Sequence, residues 1–185
     1  MKIVGIIGKL NSGKDAVARV YIQQGYIRRA FADPVKEIVH ELFGVPRDAL
    51  WGDSEARTET IRNMLQGLGT DYARGINPNV WVNKMCDALD ACHRAYQEYV
   101  VIPDVRFLNE AEMLYRRGAT LIRVTRPANG SHTTEAINQH QSETQNALIP
   151  AELVTHTIVN DGSLADLHHK VKLITGGKND TCTPG

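Results

Sequence analysis

An α/β domain with a mostly parallel five-stranded sheet and helices on both faces is predicted for this 185-residue chain. Short apolar runs bounded by turn residues alternate with stretches of helical periodicity, and a glycine-rich turn joins the first run to the first helical stretch. The length suits one well-packed core with surface insertions better than two domains.

The elements follow in order. Residues 2–8 form an apolar strand, and a helix opens near Gly13 and runs to about Gln24. A short strand over 26–31 precedes a helix that Asp33 caps, with Pro34 at its first position and an end near Gly44. Helices are expected over 54–68 and 79–96, with a loop over 69–78 between them. Tyr99-Val100-Val101-Ile102 makes 98–103 a buried parallel strand that leaves Asp104 at its carboxyl end. A helix over 109–117 stops at Gly118, and a strand over 120–125 follows. A polar stretch from Pro127 to about Asn146 interrupts the alternation. A strand over 153–159, a turn at Asn160-Asp161-Gly162 and a helix over 163–174 complete the domain, and 176–185 reads as a flexible tail.

Composition narrows the function classes. The 21 basic residues balance 21 acidic ones, which removes the broad positive field of a protein that grips many phosphates along a nucleic acid. The apolar run at the start is too short for a secretory or membrane-spanning segment, so neither nucleic acid nor membrane is expected as a partner and the cytoplasm is the expected location. Cys86, Cys92 and Cys182 form no CxxC and no zinc-ligand spacing with a His, and the first two read as small core residues in a reducing compartment.

The strongest motif is Gly8-Lys9-Leu10-Asn11-Ser12-Gly13-Lys14, which matches G-x-x-x-x-G-K between a strand and a helix. Glycines there let backbone N–H groups turn inward around phosphate oxygens, the helix amino end adds partial positive charge, and a lysine supplies a point charge. Gly8, Lys9, Asn11, Ser12, Gly13 and Lys14 are therefore candidate nucleotide-binding residues, with ATP as donor. Asp15 stands where a Ser or Thr would ordinarily bind Mg²⁺. It is a candidate metal ligand, or simply an acid suited to a helix amino end. Asp104 is placed like a Walker B aspartate, which makes it the second candidate ligand for Mg²⁺; the plain alternative is an acid capping a strand end.

Transfer to a bound acceptor fits better than a switch or a motor. The nearest text to N-K-x-D is Asn83-Lys84-Met85-Cys86-Asp87, with the wrong spacing, and Asp104 is followed by Val105 rather than by a Glu. Arg106 lies two residues past Asp104 and can hold an acceptor phosphate by two parallel hydrogen bonds.

These pieces, with Phe31-Ala32-Asp33-Pro34-Val35-Lys36, Leu65-Gln66-Gly67-Leu68-Gly69-Thr70-Asp71, Asn79-Val80-Trp81-Val82, Asp104-Val105-Arg106-Phe107-Leu108-Asn109-Glu110-Ala111 and His140-Gln141-Ser142-Glu143, occur in an order that resembles the bacteriophage-type deoxynucleoside monophosphate kinases. The resemblance implies a three-layer P-loop kinase fold with a lid insertion, ATP and Mg²⁺ as cofactors, a nucleoside monophosphate as acceptor, and a host cytoplasm as location if the chain is phage-encoded. One kinase domain would span 1–175, with an acceptor-binding insertion at about 34–97 and a lid at about 127–148; a homodimer is compatible with it.

Lys14, Asp15 and Arg106 become the catalytic candidates, Arg126 a further donor contact, and Lys36, Arg62, Arg74, Trp81, Asp104 and Arg106 the acceptor set. Each of Lys36, Arg62, Arg74 and Trp81 alone could be an ordinary surface cation or packing residue. Together they offer cations for a phosphate and a face for a base. No Lys or Arg occurs from Pro127 through His169, unlike arginine-bearing lids, so charge stabilisation is expected from Lys14, Arg106, Arg126 or the acceptor side, unless His132 or His140 contributes when protonated. Ser142 and Glu143 match the family pattern without a physical role, capping of a lid helix being the simplest. A phosphomevalonate-kinase-like enzyme and a non-catalytic nucleotide-binding regulator are the competing readings.

Overall fold

The computed structural model describes residues 1–52, 57–127 and 145–176. Most of the lid stretch, with His132, His140, Ser142 and Glu143, and residues 177–185 of the tail lie outside the described residues.

Five parallel strands form one sheet in the order β2-β3-β1-β4-β5: β1 Lys2–Gly8, β2 Ile27–Arg28, β3 Tyr99–Val105, β4 Thr120–Thr125 and β5 His156–Val159. β1 sits at the centre and is buried from Ile3 to Gly8, which is why its sequence is continuously apolar rather than alternating. Its side chains divide by parity. Ile3 and Ile7 enter a core layer with Phe31, Val35, Trp81, Met85, Leu89, Ile102 and Leu114. Val4 and Ile6 enter the opposite layer with Val17, Val20, Tyr21, Ile122, Leu167 and Val171.

The helices that supply those layers are α1 Lys14–Gln23 and α8 Leu164–Thr175 on one face, and α2 Asp33–Phe43, α6 Val80–Arg94 and α7 Leu108–Arg116 on the other. α3 Arg47–Trp51, α4 Glu59–Gln66 and α5 Ala73–Ile76 fill the segment between α2 and α6. α8 begins with a reciprocal cap at an exposed corner, in which Ser163 Oγ accepts the Asp166 N–H at 3.2 Å and Asp166 Oδ2 accepts the Ser163 N–H at 2.9 Å.

Three expectations are corrected. Asp33 does not cap α2: it is the first helical residue, after Ala32, and its carboxylate accepts the Ala30 N–H at 2.9 Å. The expected loop over 69–78 is largely helical, since a π-helical turn, Gly67–Tyr72, runs from α4 directly into α5. Gly69 is buried in it beside Val35, whose methyls lie 3.5 and 3.6 Å from where a Cβ would stand, an ordinary contact distance. Finally, β3 continues past Ile102 to Val105 and Asp104 lies inside it. The register shifts there, from Gly5↔Ile102 to Ile7↔Val105, so β3 carries one extra residue. Pro103 lacks an N–H for the ladder and is suited to a bulge, which re-aims the Asp104 side chain.

Candidate active site

The cradle is a contiguous stretch between the end of β1 and the start of α1. Asn11 and Gly13 both adopt left-handed conformations, with φ of 59° and 99°, and these turn successive amides toward one concavity. The loop is closed by Ser12 N–H to Lys9 O at 3.2 Å and by Val17 N–H to Gly13 O at 3.1 Å. The Lys14 ammonium lies back over the loop, 3.4 Å from Lys9 O. Ser12 Oγ is buried and has no hydrogen-bond partner among the described residues. Gly8 admits it, since a Cβ at that position would stand 2.5 Å from Ser12 Oγ and 2.9 Å from Val124 O. A buried hydroxyl in that position costs stability unless something pairs with it, and a phosphate oxygen in the concavity would do so.

Asn160, at the carboxyl end of β5, supports the cradle from outside. It is buried, and its Nδ2 donates to Ser12 O at 3.0 Å. The sequence offered only a turn there.

Asp15 stands exposed in the first turn of α1, its carboxylate open to solvent beside the cradle. Mg²⁺ usually keeps several waters and takes one or two carboxylates together with substrate phosphates, so an open aspartate beside a phosphate cradle fits it. Asp104 is placed differently. Its two oxygens accept the N–H groups of Phe31 at 3.0 Å and Ala32 at 2.9 Å, which fastens the turn before α2 to the sheet edge. Burial pushes its carboxyl up, opposed by those two amides and by Arg106. Of the two candidate carboxylates Asp15 is the open one, while both oxygens of Asp104 are engaged by backbone amides in the wall opposite the cradle.

That wall gathers positive charge from separated parts of the chain. Burial lowers the Lys36 ammonium, Arg57 and Arg28 lower it further, and Asp33 and Asp104 oppose them. Arg57 is likewise lowered by burial and by Arg62, Arg106 and Arg28, with Asp15 acting the other way. Arg28, Lys36, Arg57, Arg62 and Arg106 thus share one field that reaches Asp15. Arg57 is anchored through Nη2 to Leu50 O at 2.7 Å and Nε to Ala49 O at 3.2 Å. Asp33 braces the same corner, accepting from Arg28 at 3.3 Å and from Trp51 Nε1 at 3.2 Å. The Trp51 ring is flanked by Lys36 at 5.6 Å and Arg47 at 4.4 Å. Arg28, Trp51 and Arg57 were not expected in the site and no local motif marks them; Asp33 lies in the Phe31-Ala32-Asp33-Pro34-Val35-Lys36 piece but was expected only as a helix cap.

Of two expected acceptor residues, Trp81 faces the core and Arg74 lines a groove while held by protein contacts. Trp81 belongs to the core, with its indole N–H donating to Gly69 O at 2.6 Å, so it holds the π-helical turn and offers no open face to a base. Arg74 is only 11% exposed, paired with buried Glu110 and stacked 3.9 Å from the Phe107 ring centre. Beside it opens a groove of about 560 Å³, lined by Thr70, Asp71, Arg74, Asn79, Phe107 and Asn109 among others. Arg62 lies exposed on α4, and Arg126 is exposed just past β4 on the donor side of the sheet. Among the described residues, no helix is long and apolar enough to cross a membrane.

Comparison with known proteins places this architecture. The family model described as deoxynucleotide monophosphate kinase matches residues 47–171. A protein of Acanthamoeba polyphaga mimivirus, provisionally assigned as a deoxynucleotide monophosphate kinase, is 29% identical over 92% of this chain and 94% of its own length. The deoxynucleotide monophosphate kinase of Enterobacteria phage T4 is 34% identical over 61% of this chain, and that of Escherichia phage RB69 is 33% identical over 63%. These matches cover only 44% and 45% of the two phage proteins. Among solved structures, dephospho-CoA kinase from Campylobacter jejuni superposes with a TM-score of 0.57 at 12% identity, over 95% of this chain and 96% of that one. A sugar kinase from Janibacter sp. HTCC2649 superposes with a TM-score of 0.52 at 16% identity, over 95% of each chain. At those identities the likeness establishes the P-loop kinase fold.

Proposed function

We propose, because this chain belongs to the deoxynucleotide monophosphate kinase family, that its site moves the γ-phosphoryl group of ATP onto a deoxynucleoside monophosphate. The observation that carries this reading is the glycine-turned cradle between β1 and α1, with its buried Ser12 hydroxyl and the exposed Asp15 carboxylate beside it.

The inward-turned amides from Gly8 to Lys14, the Lys14 ammonium and the unpaired Ser12 hydroxyl bind the donor phosphates. Asp15 would hold Mg²⁺, which would supply neutralisation of the donor phosphates' charge. Arg106 grips the acceptor phosphate, with Lys36, Arg57 and Arg62 reinforcing the positive field, and the groove beside Phe107 has room for the nucleoside. An acceptor phosphate is already ionised near neutral pH, so no general base is required. Catalysis reduces to alignment and charge neutralisation.

The test is a coupled assay of ADP release over all deoxynucleoside and ribonucleoside monophosphates and mevalonate phosphate, with wild type and Arg106→Ala. Loss of a charged hydrogen bond of about 1.5–3 kcal/mol should lower kcat/KM for the monophosphate roughly tenfold to more than a hundredfold, with little change in the ATP dissociation constant. Arg106→Lys should recover only part, since an ammonium lacks the planar fork. Turnover of mevalonate phosphate alone would assign a different acceptor. Weakened ATP binding with normal monophosphate efficiency would move Arg106 to the donor site.

A further inference from the structure

We infer that Glu110 is a positioning residue for Arg106, holding the backbone of the acceptor clamp and tying it to Arg74 on the far side of the groove; the inference rests on the acceptor reading of Arg106. Glu110 is the third residue of α7 and is 1% exposed. Its Oε2 accepts two successive amides, that of Arg106 at 2.8 Å and that of Phe107 at 3.0 Å. Its other oxygen takes the guanidinium of Arg74.

A helix start does not need this arrangement. α8 is capped by Ser163 and Asp166 at an exposed corner, at no cost in buried charge. α7 instead begins at Phe107, which has no side-chain acceptor, and places a carboxylate in the protein interior. A buried carboxylate is expensive even when paired, and an apolar substitute of similar volume often serves stability as well or better. What the carboxylate achieves here, and an exposed cap would not, is a grip on the amide of Arg106 itself.

The grip extends across the groove. Arg74 lies on the Phe107 ring and also donates to Pro78 O at 3.3 Å. Asn109 Nδ2 donates to the same carbonyl and to Asn79 Oδ1, each at 2.9 Å. The turn between α5 and α6 is thereby fastened to the segment that launches Arg106, so the groove wall and the clamp keep one geometry. The charged groups facing Glu110 are Arg74 from α5 and Asp104 from β3; burial raises its carboxyl, Arg74 and the backbone amides of Arg106 and Phe107 lower it, and Asp104 raises it.

The experiment is a double-mutant cycle on the full chain: wild type, Glu110→Gln, Arg106→Ala and the double variant, read as kcat/KM for the best monophosphate at saturating ATP, with the ATP dissociation constant of each. Glu110→Gln should lower acceptor efficiency about tenfold through misdirection of the Arg106 contact, leave ATP binding unchanged, and have less than about a twofold effect once Arg106 is absent. Arg74→Gln should reproduce the coupling more weakly and serves if Glu110→Gln fails to fold. Equal losses in both backgrounds, or a matching loss of ATP affinity, would make Glu110 a structural residue and overturn the inference. If Arg106→Ala alone leaves acceptor efficiency normal, the acceptor reading of Arg106 fails first, and Glu110 then has no clamp to position.

Discussion

Replacing Gly13 by alanine probes how the cradle is held. Gly13 has φ of 99° and ψ of 8°, and an L side chain there carries a penalty of about 1–2 kcal/mol. The added Cβ would also stand 2.5 Å from Asn160 Nδ2 and 3.3 Å from Leu167 Cδ2. Asn160 is buried, so its amide must swing away and release the 3.0 Å hydrogen bond to Ser12 O, a loss of about 0.5–1.5 kcal/mol. The sum is about 1.5–3.5 kcal/mol, which in a chain of this size lowers Tm by roughly 3–14 °C. The assay is thermal unfolding with and without ATP and Mg²⁺, on Gly13→Ala, Asn160→Ala and the double variant. With Asn160 already shortened, only the conformational part of about 1–2 kcal/mol should remain. A Gly13→Ala protein that melts within about 1 °C of wild type, or one that costs the same in both backgrounds, would refute the claim that Asn160 buttresses the cradle through Gly13.

Two further outcomes are expected. Asp15→Ala should raise the Mg²⁺ concentration for half-maximal rate roughly tenfold or more, with partial recovery in Asp15→Ser; unchanged Mg²⁺ dependence with only a shifted Tm would make the carboxylate a helix-end feature. The Glu110 carboxyl is raised by burial from its ordinary 4.5 to about 7, so the fold favours its protonated form. The stability this contributes is present below pH 4.5 and lost as pH rises through about 7, a change of about 3 kcal/mol. Urea unfolding of wild type and Glu110→Gln across pH 4.5 to 8 should show the advantage of wild type shrinking by that order, and parallel curves would contradict it.

The sheet was legible because burial on both faces writes itself into the chain as apolar runs: β1 and β4 fall where those runs predict, and Gly8 to Lys14 lies between β1 and α1 as its motif requires. Trp81 misled as a candidate base platform, although Trp81, Met85, Leu89 and Cys92 recur at helical spacing and that spacing already marks a core face. The segment 69–78 misled for a different reason. Gly69, Gly75, Asn77 and Pro78 read as breakers, but Gly69 serves contact with Val35 and its carbonyl receives the Trp81 indole, so tertiary packing overrides local preference. Asn160 carried no signal, because its partner Ser12 is 148 residues away.

The two halves of the site differ in legibility for a physical cause. A donor cradle is made of consecutive backbone amides, so its constraint is local and appears as a short motif. The acceptor side we propose is made of side-chain charge from β2, α2, the segment before α4, α4 and the edge of β3, so that Arg28, Lys36, Arg57, Arg62 and Arg106 meet only in the fold. Their mutual effect supplies the signal that sequence lacks. Both Lys36 and Arg57 are pushed down by burial and by their neighbours' charges, so the wall carries repulsion that its own acids, Asp33 and Asp104 beside Lys36 and Asp15 beside Arg57, only partly offset. Like charges are gathered at such a cost where function requires them. A phosphate dianion placed among them reverses the sign of the local interaction, strengthens every cation at once, and gains most when it sits where Arg106 can meet it beside the cradle.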